Sequence, residues 1–264
     1  MNTTINDTVR ANVRETYGNI AKEARSCGCA PSCCVPGGNN PAGVAEQIGY
    51  SATELSSVPD GANLGLGCGN PFIFAQLEAG HTVLDLGSGA GFDAFLAANV
   101  VGPTGRVIGV DMTPEMITKA RSSRVRGGYS HVEFRLGEIE HLPVADTSVD
   151  VIISNCVINL SPDKSAVFRD AFRVLKPGGR LAISDIVALK PLPASMRDSA
   201  ELHAGCIAGT SLVTELRTLV ESVGFDDVRI NVRPESREYI AKYFPGEGLE
   251  EYTASATIEA VKPL

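Results

Sequence analysis

The sequence is short of positive charge and has no long apolar run. Its 264 residues hold 23 Lys and Arg against 31 Asp and Glu, a net charge of −8. No stripe of Lys and Arg with interleaved aromatics occurs, and aromatics make up only 6% of the chain. A nucleic-acid partner is therefore not expected, because phosphate binding needs a basic surface. Arg121, Arg124 and Arg126 share one predicted helix and are expected to form a solvated face. No stretch reaches the roughly 18 consecutive apolar residues of a membrane helix. Met1–Arg14 is polar and lacks the apolar segment of a secretory signal. These absences predict a soluble, cytoplasmic protein with no membrane partner. There is no internal repeat, no low-complexity tract, and no His or carboxylate pair placed for acid–base catalysis. What is present, 44% hydrophobic and 20% charged residues, suits one sizeable domain with elaborations.

Glycine is concentrated where a ligand can use it. His81-Thr-Val-Leu-Asp-Leu-Gly-Ser-Gly-Ala-Gly91 reads as a buried strand, a glycine turn and the start of a helix. Gly87, Gly89 and Gly91 strip the turn of side chains, so a ligand can lie against the backbone, and the helix offers free N–H groups. The dinucleotide fingerprint Gly-x-Gly-x-x-Gly fails, since its sixth position is Phe92. Arg106–Asp111 reads as a second strand ending in a carboxylate 20 residues past Gly91. A nucleotide site places its acceptor for ribose hydroxyls there; the competing role is a helix N-cap. Met112 then packs on an adenine ring or belongs to the core.

Periodicity predicts strands near residues 81–86, 106–111, 131–136, 149–154 and 180–187, alternating with helices near 92–100, 114–126 and 165–175. That alternation is a doubly wound α/β pattern. Ahead of it, Asp7–Arg25 reads as an amphipathic helix, and Ser26–Pro41 as a loop rich in Cys, Gly and Pro. Short helices are expected at Pro41–Ile48 and Thr53–Ser57, a glycine-rich loop at Ala62–Pro71 and a helix at Phe72–Ala79. Lys176-Pro-Gly-Gly179 reads as a helix stop. Behind the core, Ala194–Ala208 and Ser211–Val223 read as helices, and Val228–Arg233 and Thr253–Lys262 as strands.

Seven cysteines are present: Cys27, Cys29, Cys33, Cys34, Cys68, Cys156 and Cys206. A chain of this size in the cytosol needs no disulfide scaffold. Cys156 follows the fourth strand, at the sheet edge where open α/β folds bind ligands. Cys206 lies in the insertion after the fifth strand. The plain alternative for Cys156 is a small buried hydrophobe. For the N-terminal four it is a zinc site, although Cys-x-Cys-x3-Cys-Cys suits tetrahedral ligation poorly.

Asp85 before Gly-x-Gly-x-Gly, together with the Pro-Gly-Gly turn, resembles class I S-adenosylmethionine-dependent methyltransferases. More specifically, the chain from about Val13 to Ala208 resembles the arsenite methyltransferases. The resemblance is carried by Tyr17-Gly18, Ser32-Cys-Cys34, Leu66-Gly-Cys-Gly-Asn-Pro71, Asn155-Cys-Val-Ile-Asn-Leu-Ser-Pro-Asp-Lys164 and Gly205-Cys-Ile-Ala-Gly209. It implies a Rossmann-like class I methyltransferase sheet with a C-terminal antiparallel hairpin. Around this come an N-terminal helical, Cys-rich cap (1–71), an S-adenosylmethionine-binding core (72–190), and a part (191–264) that covers the acceptor and completes the sheet. The implied donor contacts are Tyr17, Asp85, Gly87, Ser88, Gly89, Gly91, Asp111, Met112, Glu138, Ile139 and Asn155. The implied working cysteines are Cys33, Cys68, Cys156 and Cys206, with arsenic held by Cys156, Cys206 and either Cys33 or Cys34. The chain departs from the family in its extra Cys27 and Cys29 and in a short C-terminal part.

Trivalent arsenic is soft and binds thiolates strongly. Three sulfurs leave it one lone pair, which attacks the donor methyl, so no general base is needed and catalysis is mainly positioning. The resemblance implies arsenite or its glutathione conjugate as substrate and no resident metal. It also implies a disulfide that forms during turnover and is reset by thioredoxin or glutathione. Two rival functions stay open at this point: methylation of an organic acceptor such as a quinone precursor, and non-catalytic metalloid binding by thiols.

Overall fold

The computed structural model describes residues 2–23 and 40–264. In chain order the helices and strands are α1 (Asn2–Glu23), α2 (Pro41–Gln47), α3 (Ala52–Ser56), α4 (Phe72–Ala75), β1 (Thr82–Leu86), α5 (Phe92–Val101), β2 (Arg106–Asp111), α6 (Pro114–Gly127), β3 (Val132–Leu136), β4 (Val149–Asn155), α7 (Lys164–Val174), β5 (Leu175–Ala188), α8 (Ala194–Arg197), α9 (Ala200–Ala204), α10 (Val213–Val223), β6 (Asp226–Arg233), α11 (Ser236–Tyr243) and β7 (Thr253–Val261). The sheet has seven strands in the order β3-β2-β1-β4-β5-β7-β6. β1 to β5 pair in parallel, and β7 runs antiparallel between β5 and β6. This is the expected α/β sheet with a C-terminal antiparallel hairpin.

Successive residues of a strand point to opposite faces, so a strand covered by helices on both sides must be apolar throughout. β1 and β4 follow that rule. Leu84, Leu86 and Ile152 enter one core with Phe168 and Val220, whereas Val83, Val151 and Ile153 enter the other with Phe95 and Ala182. α1 lies over the carboxyl edge of the sheet, burying Val13 and Ile20. Arg10 pairs with Glu140 at 3.1 Å, and Arg14 donates to the Met112 carbonyl at 3.3 Å.

Four local expectations are corrected. The helix expected at Phe72–Ala79 stops at Ala75, because Gln76 turns left-handed (φ +48°) and the Arg180 guanidinium takes the Ala75 and Gln76 carbonyls. The helix expected at Ala194–Ala208 is broken in two: Ser199 caps a fresh helix through Leu202 N at 3.2 Å, and Gly205 ends it. Lys176-Pro-Gly-Gly179 is not only a helix stop. The strand already begins at Leu175, opposite Val149, and bulges through the turn before Arg180 pairs with Val151. Arg121, Arg124 and Arg126 are not merely solvated; they donate to the carbonyls of Phe134, Tyr129 and Asp60 and staple α6 to its surroundings. α11 was not expected at all.

Gly109 shows how tightly the sheet supports the glycine loop. A Cβ there would lie 2.6 Å from Phe134 and 2.7 Å from Ser88 Oγ. Gly109→Ala is expected to cost about 1–3 kcal/mol by overpacking and to displace Ser88. A lowered urea midpoint, with weakened binding at the adjoining loop, is the expected measurement.

Candidate functional site

The parallel strands all end at one edge, and a cavity opens there, running from the glycine loop to three cysteines. Gly87, Gly89 and Gly91 have φ of +67°, +51° and +95°. These values favour glycine, and a Cβ at Gly87 would also lie 2.4 Å from Val157. The loop folds back on β2: Gly87 and Ser88 N–H groups donate to the Val110 carbonyl, and Gly89 N–H donates to Asp111 Oδ2 at 2.9 Å. The other Asp111 oxygen accepts from Thr113 N at 2.8 Å.

Three carboxylates crowd this end. Asp85 is 2% exposed, and its Oδ2, like Ser88 Oγ, has no hydrogen-bond partner among the described residues. Burial, with Asp93 and Asp111 nearby, holds the Asp85 carboxyl well above its ordinary range. Burial also raises Asp111, and lifts Asp93 to about 6 even though Tyr50 and Asn155 donate to it.

Asn155, the last residue of β4, joins the two ends. Its Nδ2 donates to Tyr50 Oη at 2.9 Å, Gly69 O at 2.7 Å and Asp93 Oδ2 at 3.3 Å, while its Oδ1 accepts from Cys68 N at 3.0 Å. Ser255 of β7 donates to the Cys68 carbonyl at 2.7 Å. Cys68 is thus held from both sides. The next residue after Asn155 is Cys156, in a left-handed conformation (φ +60°), as is Cys206 (φ +63°). Such backbone costs a non-glycine residue of order 1–2 kcal/mol and marks functional sites when the surroundings enforce it.

The cysteines converge. Cys206 Sγ donates to the Cys156 carbonyl at 2.8 Å. The Cys68 and Cys156 sulfurs and a carboxylate oxygen of Asp185 lie within 4.8 Å of one another. All three are free thiols. Burial raises Cys68. At Cys156 the contact with Cys206 favours the thiolate, but Cys68 and burial outweigh it, leaving the thiol well above its ordinary value. Cys206 is held high by Cys156 and by burial, with Tyr17 opposing. Asp185 is pushed up to about 6 by burial, and burial brings Lys164 down to about 8.

Of the residues singled out in the sequence, Tyr17, Asp85, Gly87, Ser88, Gly89, Asp111, Met112, Ile139, Asn155, Cys68, Cys156 and Cys206 line the one cavity. Gly91 caps α5 beside it. Tyr17 also donates to Ala204 O at 3.1 Å, tying α1 to α9. Glu138 instead faces Arg10 and Arg14, both at 3.4 Å. Cys33 and Cys34, with Cys27 and Cys29, lie outside the described residues. Sequence reasoning missed Asp93, Glu140, Asp185, Asn159 and the α11 residues Tyr239 and Ile240. Asp93 and Asp185 carried a readable signal, an acid in the first turn after the glycine loop and an acid late in a buried strand. Glu140 and α11 carried none.

Residues 77–224 match a family model described as a methyltransferase domain. An arsenite methyltransferase of Halobacterium salinarum is 51% identical over 263 residues, covering 96% of this chain and 66% of that protein. One from Aquipseudomonas alcaligenes is 44% identical over 171 residues, covering 62% of this chain and 49% of that protein. The chain therefore spans between about half and two thirds of these curated relatives. The crystal structure of an arsenic(III) S-adenosylmethionine methyltransferase from Chlamydomonas reinhardtii superimposes with a TM-score of 0.63 at 35% identity, covering 85% of this chain and 75% of that one. With its sheet order, its glycine loop and these matches, the chain belongs to the class I methyltransferases and, within them, to the arsenite methyltransferase family.

Proposed function

We propose that this chain methylates trivalent arsenic, using S-adenosylmethionine as donor and cysteine sulfurs as arsenic ligands. The observation that carries the reading is the meeting of Cys68, Cys156 and Cys206, from three separate segments, at one end of a cavity whose other end is the glycine loop. The glycine-loop end fits the donor. Gly87 and Gly89 leave the backbone open, Asp111 stands at a strand end to accept ribose hydroxyls, and the unpartnered oxygens of Asp85 and Ser88 await a polar ligand. When bound there, S-adenosylmethionine supplies an electrophilic methyl group on a sulfonium. Asp85, Asp93 and Asp111 compensate the ligand's positive charge in a site where water does not screen it.

At the thiol end, arsenite exchanges its hydroxyls for cysteine sulfurs, and each thiol proton leaves with a hydroxyl as water. Among the described residues, Cys68, Cys156 and Cys206 are the cysteines placed for this exchange, with Cys33 or Cys34 as the further thiol. The resulting arsenic tris-thiolate is neutral, which suits thiols that burial and their neighbouring sulfurs hold high. The arsenic lone pair then attacks the methyl carbon in line, so the chain's task is to hold the two together. Methylated arsenic carries a positive charge. A fourth thiolate, from Cys33 or Cys34, attacks one ligand sulfur and forms a disulfide. The arsenic–sulfur bonding pair returns to arsenic, leaving trivalent methylarsenic on two sulfurs. Glutathione or thioredoxin then reduces the disulfide, which requires a reducing compartment such as the cytoplasm.

Given arsenite, glutathione and methyl-labelled donor, the protein is expected to yield labelled methylarsenicals by mass spectrometry. Cys156→Ser and Cys206→Ser are each expected to slow the first methylation on the order of 100-fold or more. Turnover that survives both substitutions would point to an organic acceptor instead.

A second expectation concerns pH. Asp93 is raised to about 6 in the ligand-free protein. A bound cation favours its charged form, so binding expels protons and donor affinity rises as pH increases through about 6. The contribution of Asp93 to ligand-free stability has the opposite trend. Its folded pKa lies above the unfolded value of about 3.9, so that contribution is complete below the unfolded value and is lost as pH rises through the folded one. Calorimetry in buffers of different ionisation enthalpy is expected to register the protons, and Asp93→Asn to flatten the affinity profile.

A further inference from the structure

The reading above uses the cysteines but not Asn159, three residues past Cys156 and 3% exposed. Its Nδ2 reaches three acceptors: Asp185 Oδ1 at 2.9 Å, Ile186 O at 2.7 Å and Cys206 O at 3.3 Å. Asp185 in turn accepts Ile158 N at 2.9 Å through its other oxygen, which fixes the turn that carries Cys156. The Cys206 loop presses on that same turn. A Cβ at Gly209 would lie 2.0 Å from the Asn159 carbonyl oxygen, so only glycine permits the approach. The Asn159 side chain is thus the hydrogen-bonded link between the β5 end, the Cys156 turn and the backbone of Cys206.

We propose that Asn159 is a positioning residue that sets the separation of Cys156 and Cys206. The two cysteines lie 50 residues apart and are both left-handed at the backbone, so neither loop holds its sulfur in place by local preference alone. Asn supplies what this place requires, two N–H donors on a short planar group that can point at a carboxylate and a carbonyl together. Asp would present only acceptors to acceptors, and Ser would fall short of Cys206. Cys68 is set by other groups, Asn155 and Ser255. The inference rests on the arsenic reading for its consequence but not for its geometry, which a thiol-bridging reagent reads directly.

The experiment treats the full chain with a bimane reagent that bridges two nearby thiols, then maps the bridged peptides by mass spectrometry. Wild type is expected to give both Cys156–Cys206 and Cys68–Cys156 bridges; absence of the first in wild type overturns the proposal whatever the variants do. Asn159→Ser and the shape-preserving Asn159→Asp are expected to lose most of the Cys156–Cys206 bridge and keep the Cys68–Cys156 bridge. S-adenosylmethionine affinity is expected to stay within about twofold, and arsenite affinity by equilibrium dialysis to fall about tenfold or more, a loss of about 1.4 kcal/mol or more. Equal yields of both bridges in variants and wild type, or loss of both together, overturn the positioning role. Wild type that bridges as expected but binds no arsenite sinks the arsenic reading and leaves the positioning role standing.

Discussion

The side-chain amide of Asn155 holds the two halves of this cavity in register. A carboxamide has two donors and an acceptor, and this one uses both kinds. It donates toward Tyr50, Asp93 and the Gly69 carbonyl and accepts from Cys68 N. One group therefore fixes the first turn of α5 behind the glycine loop and the loop that carries Cys68. The loop can approach only because Gly67 has φ +129° and no Cβ, which would lie 2.9 Å from Asn155 Nδ2. Each hydrogen bond is worth only about 0.5–1.5 kcal/mol net. The geometric consequence is larger, because Asn155 is joined by a peptide bond to Cys156. The end of one parallel strand thus places a sulfur and simultaneously ties it to the neighbouring sulfur and to the site opposite.

The thiol end is built against charge. Three thiols share an apolar enclosure with Ile207, Ile240 and Leu160, and their mutual contacts together with burial raise all three. A divalent cation on three thiolates would carry a net negative charge, with the Asp185 carboxylate beside it. Burying uncompensated charge costs several kcal/mol. Trivalent arsenic on the same three sulfurs is neutral. Under the proposed reading, the enclosure favours a trivalent centre by charge as much as by softness. A soft ion of lower charge gains the same sulfur bonds but must also be neutralised, and Lys164, brought down to about 8 by its own burial, is the cation whose charge reaches Asp185.

Most of the framework was legible in the sequence, because its signals are local. β1, β2 and β4 are largely apolar runs flanked by turn residues, β3 alternates, and the glycine loop is a composition signal at fixed spacing. Cys156 and Cys206 were found because a strand end and a post-strand insertion line the ligand edge of any such sheet. What was missed depends on contacts between distant segments. Arg180 stops a helix more than 100 residues earlier by taking its carbonyls, and no local propensity reports that. Asp185 stands out in the sequence as an acid late in a buried strand, but only the fold sets it beside Cys68 and Cys156. Glu138 and Glu140 are both acids after the third strand; only the docking of α1 shows that Arg10 draws Glu140 to the cavity wall, where Ser161 donates to it at 2.7 Å.

The opposite charge logic of the two ends has a consequence for turnover. Under the proposed reaction the donor arrives with a net positive charge, from its sulfonium and ammonium groups against one carboxylate. After methyl transfer the spent donor is a thioether with no net charge. Asp85, Asp93 and Asp111 are uncomfortable without a cation, as their raised positions show. While the donor is bound, its charge offsets theirs. Once the sulfonium is gone, the carboxylates face one another across a neutral ligand, and the same burial that strengthened binding now weakens it. Under the proposed reaction, burial that makes these carboxylates reluctant to ionise favours a cationic ligand over an uncharged one at this end of the cavity.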